Sequence, residues 1–466
     1  MKKKVGLLLM IAAIVFCSVE QIAAAQNEGR KFYASQNGAV LDSDVYKGGG
    51  TDDTAALQAI LDQAPRLGRL HLVLDGAALI SKPLKIHSNT TLECPDKSCG
   101  LFLADGSDCC ILRNANFDLE TIRDRNITIL GGVFNHNSPG QAHHIEGKKW
   151  DVPNPDWAAF NGVFGMEFYG VEHFLMRDVT IANQRTFAML MATWKHVTME
   201  NIHIDRRERP IGQNQDGLHF FGPGRFLTIR NIRGNSGDDF IALAPDEHDY
   251  KSSIEDVLIQ GVHFDEADQG IRMLVCGEGK LDRVIIRDVT GTYRMCGCII
   301  NPYFAGKGGL YGNIVFDTID LRLMEGSPYR PPFLFELGGH IESLTLKNIY
   351  QHTPEAKQQL FMIGGSHARV KPDDDVDWHS TKMPTQIDRL IIDGLYIDER
   401  SEQGIPESYF LIKTKIGLLS IKDVILRRSG VGDAKKGSLI KMDGGIVGEL
   451  RLIDISADCL ETIVEK

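Results

Sequence analysis

The residues best suited to chemistry are three aspartates in two short motifs, Asn214-Gln215-Asp216-Gly217 and Ser236-Gly237-Asp238-Asp239. Asp216 and Asp238 stand 22 residues apart. If one turn of a coiled chain has that length, Asp238 stacks beside Asp216 at the strand spacing of about 4.8 Å. Three carboxylates then crowd one spot, and like charges raise at least one pKa, so a proton is kept near neutral pH. A protonated carboxyl can protonate a leaving oxygen while an ionised neighbour activates water, which is acid/base cleavage of a glycosidic bond. Asp-Gly and Gly-Asp are also common turn pairs, and either motif alone is weak. Recurrence one coil apart makes Asp216, Asp238 and Asp239 the expected catalytic set.

Other polar residues are placed to serve such a cluster. Arg185 precedes Asp216 by 31 residues, which suits the rung beneath it, and Arg272, close to Gln269, could supply a cation from another rung. Each could hold a substrate carboxylate or hydroxyl, or pair with the aspartates. His219, two past Gly217, is expected to face the groove. His136, His143 and His144 read as loop histidines. No pair of CxxC motifs occurs, so no structural zinc is expected. The proposed chemistry needs neither metal nor redox cofactor.

The elements that must carry these residues are legible as a repeat. Two or three strand-forming apolar residues, a polar pair often ending in Asn, Asp or Gly, and then Val or Ile recur along the chain. Copies begin at Ile127, Phe174, Val197, Leu227, Val257, Val284, Ile314, Leu344, Leu390, Leu419 and Leu450. Such a period suits one turn of a solenoid and is too short for a domain. Alternation within each copy has the period of a strand, and no helix-length amphipathic stretch lies between copies. The expected fold is therefore all-β, a parallel β-helix. Its Asn and Asp corners would use the left-handed conformation those residues tolerate. Asparagine ladders between coils are a further option. Residues 51–64 form the one convincing helix, capped by Thr51 or Asp52, with Ala56, Leu57, Ile60 and Leu61 as its apolar stripe. It is read as an N-terminal cap. Two stretches break the rhythm, 135–161 with Trp150 and Trp157, and 351–386 with Trp378. Long loops in compact folds are often functional, and the tryptophans could stack on a sugar.

Residues 31–64, with Asn37-Gly38-Ala39 and the Thr-Asp-Asp-Thr helix start, resemble the opening of pectate-lyase-like β-helix proteins. Asn214-Gln215-Asp216-Gly217 followed by Gly237-Asp238-Asp239 resembles the Asn-Thr-Asp-Gly and Gly-Asp-Asp signature of glycoside hydrolase family 28, the polygalacturonases and rhamnogalacturonases. The resemblance implies a right-handed parallel β-helix and hydrolysis with inversion. It implies Asp238 as general acid, Asp216 and Asp239 as the residues holding and activating water, and Asn214 as a positioning group. The layout is also similar to that of family 110 α-galactosidases. Where the family's next coil carries Gly-His-Gly, this chain has Asp268-Gln269-Gly270. Where the following coil carries Arg-Ile-Lys, it has Cys296-Gly297-Cys298-Ile299-Ile300-Asn301. A neutral sugar, or an acidic one held by Gln269 and Arg272 instead, is expected. The lateral insertions favour action at chain ends.

The ends and the composition frame this reading. Lys2 to Lys4, the uncharged stretch from Val5 to Val19 and Ala23-Ala24-Ala25 read as a signal peptide over residues 1–25, and 26–466 as one domain. Export to the periplasm or beyond follows, with a lipoprotein at Cys17 as the second option. The apolar run is short for a membrane span. The net charge is −11; residues 1–25 hold three lysines and Glu20, so without them it is −13. A nucleic-acid partner is excluded by that balance, which lacks a basic footprint. A carbohydrate is the expected partner. For the eight cysteines after Cys17, a link from Cys94 or Cys99 to Cys109 or Cys110 and simple stacking inside the coils are both open. Two other functions suit the same scaffold: a polysaccharide lyase using Arg272 as base, and a glycan-binding surface protein without turnover.

Overall fold

The computed structural model describes residues 30–141, 164–207, 215–302, 309–324, 332–352, 359–364, 385–400, 406–429 and 435–466. Residues 1–25, Asn214, His143, His144, Trp150, Trp157 and Trp378 lie outside them, as does most of the two expected insertions.

Coils stack in parallel through three ladders, making a right-handed parallel β-helix. The first ladder pairs Ile127 with Phe174, Phe174 with Val197, and then Leu227, Val257 and Val284 in turn. Ile314, Leu344, Leu390, Leu419 and Leu450 continue it. These are the starting residues of the sequence repeat, so each copy is one coil. The second ladder follows five residues later, as in Ile202 with Ile232 and Val262 with Val289. The third runs through Met189, Leu218, Ile241, Ile271, Cys298, Phe335, Phe361, Phe410 and Ile440.

Inward residues of all three ladders join one apolar column from Phe32 to Leu460. Each fully buried Val, Leu, Ile or Phe contributes about 1.5–3 kcal/mol relative to exposure, so the repeat is itself the source of stability. Phe361 lies between Phe335 and Phe410, with near-parallel rings at 5.4 and 4.2 Å.

The corner between the first and second ladders is one residue in the left-handed region. Asp178, Asn201, Asn231, Asp288, Asn348 and Asp423 occupy it at φ between 50° and 61°. Their short polar side chains lower the cost of that conformation. They also bond between coils: Asn201 Nδ2 donates to Asp178 Oδ1 at 2.7 Å, and Asn231 Nδ2 to Asn201 Oδ1 at 3.1 Å.

The N-terminal helix covers Thr54–Leu61 and buries Leu57, Ile60 and Leu61, a shorter element than residues 51–64. Asp53 stands at its N-cap without capping it, because its carboxylate accepts the Val40 and Leu41 N–H groups at 2.6 and 2.9 Å. Thr51 gives its N–H to Asp42 at 2.6 Å, and Asp52 Oδ1 accepts the Thr54 N–H at 2.9 Å. A second short helix, Ala64–Leu67, follows. The eight described cysteines are free thiols, and Cys94 and Cys99 belong to the apolar column, so stacking rather than a disulfide describes them. Among the described residues no helix is long and apolar enough to cross a membrane.

Candidate active site

The third ladder carries the acidic cluster at the start of its strands. Carboxylate oxygens of Asp216, Asp238 and Asp239 lie within 4.8 Å of one another. The stacking differs from the expected one in a single respect. Leu218 pairs with Ile241, and extending that register back two residues places Asp239, not Asp238, opposite Asp216. The Gly217 N–H donates to the Asp239 carbonyl at 2.9 Å, consistent with that offset. Asp239 in turn pairs with Gln269, which sets Asp238 opposite Asp268. The cluster is therefore two stacked pairs side by side.

Their surroundings differ. Asp216 is 2 % exposed and Asp239 9 %, while Asp238 is only partly buried. Burial pushes the Asp216 carboxyl up to about 7; the His219 cation pulls it down, and Asp238 and Glu247 add to the rise. Burial, followed by the charges of Asp216 and Asp238, holds Asp239 well above the usual carboxylate range. Arg272 and His219 oppose that shift. A proton is thus retained in the cluster near neutral pH, for the reason anticipated from like-charge crowding.

The remaining candidates fall into place around it. Gln269 Nε2 donates to Asp238 Oδ1 at 3.1 Å, and Gln269 Oε1 accepts from Arg272 Nη1 at 3.1 Å. Gln269 thereby links an aspartate to a guanidinium. His219 Nδ1 lies 2.7 Å from Asp216 Oδ2 and Nε2 lies 3.0 Å from Glu247 Oε2. With both nitrogens engaged and 3 % exposure, the ring serves carboxylates and leaves no nitrogen for a sugar. Arg185 is not beneath Asp216: the register of Met189 with Leu218 places Phe187 there. Arg185 is 2 % exposed, and its backbone N–H donates to His136 Nδ1 at 3.1 Å. His136, whose Nε2 donates to the Cys109 carbonyl, is held neutral by burial.

Two acidic members of the site were not singled out by their spacing. Glu247 comes from the connection after Asp239–Leu243, where no periodic signal marks it. Asp268 was visible as the acidic residue 30 after Asp238, one coil on. It pairs with Arg294 at 2.5 Å, and burial, then Asp238, raises its carboxyl to about 6. Arg206, on the same coil as Asp216, donates to Gln215 Oε1 at 3.1 Å.

His219, Arg272 and the Gln269 amide already bring positive charge or donors to the aspartates, so a proton is the group this arrangement retains. On the first ladder, Glu172, His173 and His196 also cluster within 4.8 Å. The two imidazoles stack in parallel at 4.8 Å and 5°, so their in-plane lone pairs run side by side instead of converging on one point.

No family model matches the chain, and no curated protein matches it. Solved structures do. An exopolygalacturonase of Thermotoga maritima is 12 % identical over 94 % of this chain and 92 % of its own, with a TM-score of 0.48. The N-terminal fragment of bacteriophage phi29 gene product 12 is 10 % identical over 97 % and 74 %, with a TM-score of 0.51. PfbA, a surface adhesin of Streptococcus pneumoniae, is 14 % identical over 91 % of each chain, with a TM-score of 0.50. At these identities the likeness is one of fold, and the fold of this chain is the right-handed parallel β-helix.

Proposed function

We propose that the chain is a glycoside hydrolase whose acid and base are drawn from Asp216, Asp238 and Asp239. The observation that carries this is the meeting of three carboxylates within 4.8 Å on one ladder, with burial keeping a proton among them. Asp216, beside the His219 cation, is the ionised base. Asp238, the most open of the three, delivers the proton to the leaving oxygen, and buried Asp239 keeps that proton within the pair. The motif resemblance supports the same assignment.

Paired carboxylates about 5–5.5 Å apart ordinarily indicate retention, and wider pairs of about 6.5–9.5 Å indicate inversion. Three carboxylates change that rule. Two O–H···O contacts of about 2.7 Å span about 5 Å, so in this reading one water can touch both Asp216 and Asp239 while Asp238 acts as acid. Inversion is the outcome we infer.

What flanks the cluster on its own ladder supports action at a chain end. Phe187 and Leu190 precede it, Cys296, Ile299 and Phe333 follow it, and all are at most 3 % exposed. An open trench along the axis would need polar, exposed residues at those rungs; a glycan entering from the side presents its end. The substrate is a carbohydrate, and the leader-like pattern of residues 1–25 supports its being met outside the cytoplasm.

Release of reducing ends from a panel of neutral and acidic glycans, wild type against Asp238→Asn, tests the reading. The anomer first formed, followed by proton NMR, tests inversion. Products absorbing in the ultraviolet without new hydrolytic ends would replace it with a lyase. Glycan binding that Asp238→Asn leaves intact, with no turnover by wild type, would replace it with a binding protein.

A further inference from the structure

His219 is held in a way that a substrate contact would not require. A carboxylate oxygen faces each ring nitrogen, Asp216 Oδ2 at 2.7 Å and Glu247 Oε2 at 3.0 Å. A neutral imidazole has one N–H and one lone pair; only the imidazolium can donate to both acceptors. The ring cannot swing away. Phe187 stacks on it at 4.4 Å and 3°, and Phe221 meets it edge-on at 5.0 Å. The side chains of His219 and Asp216 are 4 % and 3 % exposed, while that of Glu247 is 15 % exposed. Glu247 is therefore the outer end of a carboxylate–imidazolium–carboxylate clamp whose inner end is the catalytic carboxylate.

The charges around the clamp explain why one is needed. Asp216 faces Asp238, Asp239 and Glu247 as well as His219. Arg272, two rungs from His219 on the third ladder, acts on Asp239. His248 stacks on Phe221 at 5.1 Å and is kept neutral by burial, so it brings no second cation. Without the imidazolium, Asp216 would be a buried carboxylate among like charges. It would take up the proton and cease to be a base.

We propose that His219 and Glu247 are positioning residues: Glu247 keeps His219 protonated, and His219 keeps Asp216 ionised and aimed as the base. This rests on the glycosidase reading above for the identity of the base, but the clamp has a readout of its own.

The experiment is Glu247→Gln, read in two ways. Nitrogen NMR of the His219 ring needs no substrate. In the wild type the ring stays a cation through neutral pH and loses its proton near 10. In Glu247→Gln the loss moves down by about one pH unit or more, since one of two anionic partners is gone. The second reading is the pH profile of kcat/KM on a cleaved glycan. Glu247→Gln moves the acidic limb slightly down, because the Glu247 charge no longer adds to the rise of the Asp216 carboxyl while His219 is still a cation there. His219→Gln moves the acidic limb up, because Asp216 then keeps its proton to higher pH; Glu247→Asp restores most of the wild-type profile. A neutral His219 at pH 7, or a ring titration unchanged by Glu247→Gln, overturns the clamp. So does a uniform loss of rate at every pH, which is what a merely structural role predicts. Should no glycan be cleaved while the ring titrates as expected, the glycosidase reading fails and the clamp stands.

Discussion

Asp268 offers a measurement of the electrostatic cost built into the site. Its carboxyl is raised to about 6, chiefly by burial and then by Asp238, from an ordinary value of 3.8. The folded protein therefore holds this proton more tightly than the unfolded chain. Stability from that source is fully present below pH 3.8 and is lost as pH rises through about 6. Linkage over that interval costs about 3 kcal/mol, and about 2 kcal/mol of it is lost between roughly pH 4.5 and pH 8. Asp268→Asn removes the titration. The difference in unfolding free energy between variant and wild type cancels the groups that do not interact with Asp268 and leaves its own contribution, together with its coupling to Asp238. Urea unfolding of both proteins at acid and mildly alkaline pH should show the variant gaining about 2 kcal/mol on the wild type across that range. The ion pair with Arg294 is already contained in the raised value, so it shifts the offset and not the slope. Parallel stability curves for the two proteins would refute the account, because Asp268 would then titrate alike in both states.

Asp239→Asn should abolish glycan hydrolysis and gain unfolding temperature on the wild type as pH rises, since it removes a carboxyl whose ionisation burial and two neighbouring carboxylates oppose; no gain with rising pH would count against crowding. Phe361→Ala opens a gap in the Phe335–Phe361–Phe410 stack and should cost about 3–5 kcal/mol by denaturant titration. Asn201→Ala loses two bonds between coils and leaves alanine at a left-handed corner, a cost of about 1–2 kcal/mol in the same assay. Gly291→Ala should be the most damaging of the group, measured as loss of soluble folded protein. Gly291 sits at φ +138°, and an added Cβ would fall 1.9 Å from the Phe264 carbonyl oxygen of the coil before.

The β-helix was readable because each coil repeats one physical solution. The apolar residues at the repeat starts, from Phe174 to Leu450, are register partners one coil apart, and an Asn, Asp or Gly after most of them marks the corner, with Thr318 the exception. The offset at the active rung was not readable. Counting from motif to motif brings Asp238 to Asp216, but the coil that follows Asp216 is 23 residues long, one more than the 22 between Asp216 and Asp238, and Asp239 arrives there instead. That length is set by how a connection packs, which no strand period encodes. Glu247 escaped for the same reason, coming from a connection and not a ladder. The helix start moved because Asp53 is taken by the backbone of residues 40–41, a contact between segments that local capping rules do not see.

The single left-handed residue between the first and second ladders has a consequence for how such a chain can change. That corner keeps the spacing at five residues in coil after coil, from Val197 and Ile202 to Leu419 and Val424. Connections entering and leaving the third ladder are free by comparison: Ile232 to Ile241 spans 9 residues, and Phe361 to Leu390 spans 29. Insertions and deletions can therefore collect on the two rims that border Asp216, Asp238 and Asp239 without displacing one interior side chain. A rim segment transplanted from another solenoid would alter which molecules reach those carboxylates while the scaffold beneath kept its register.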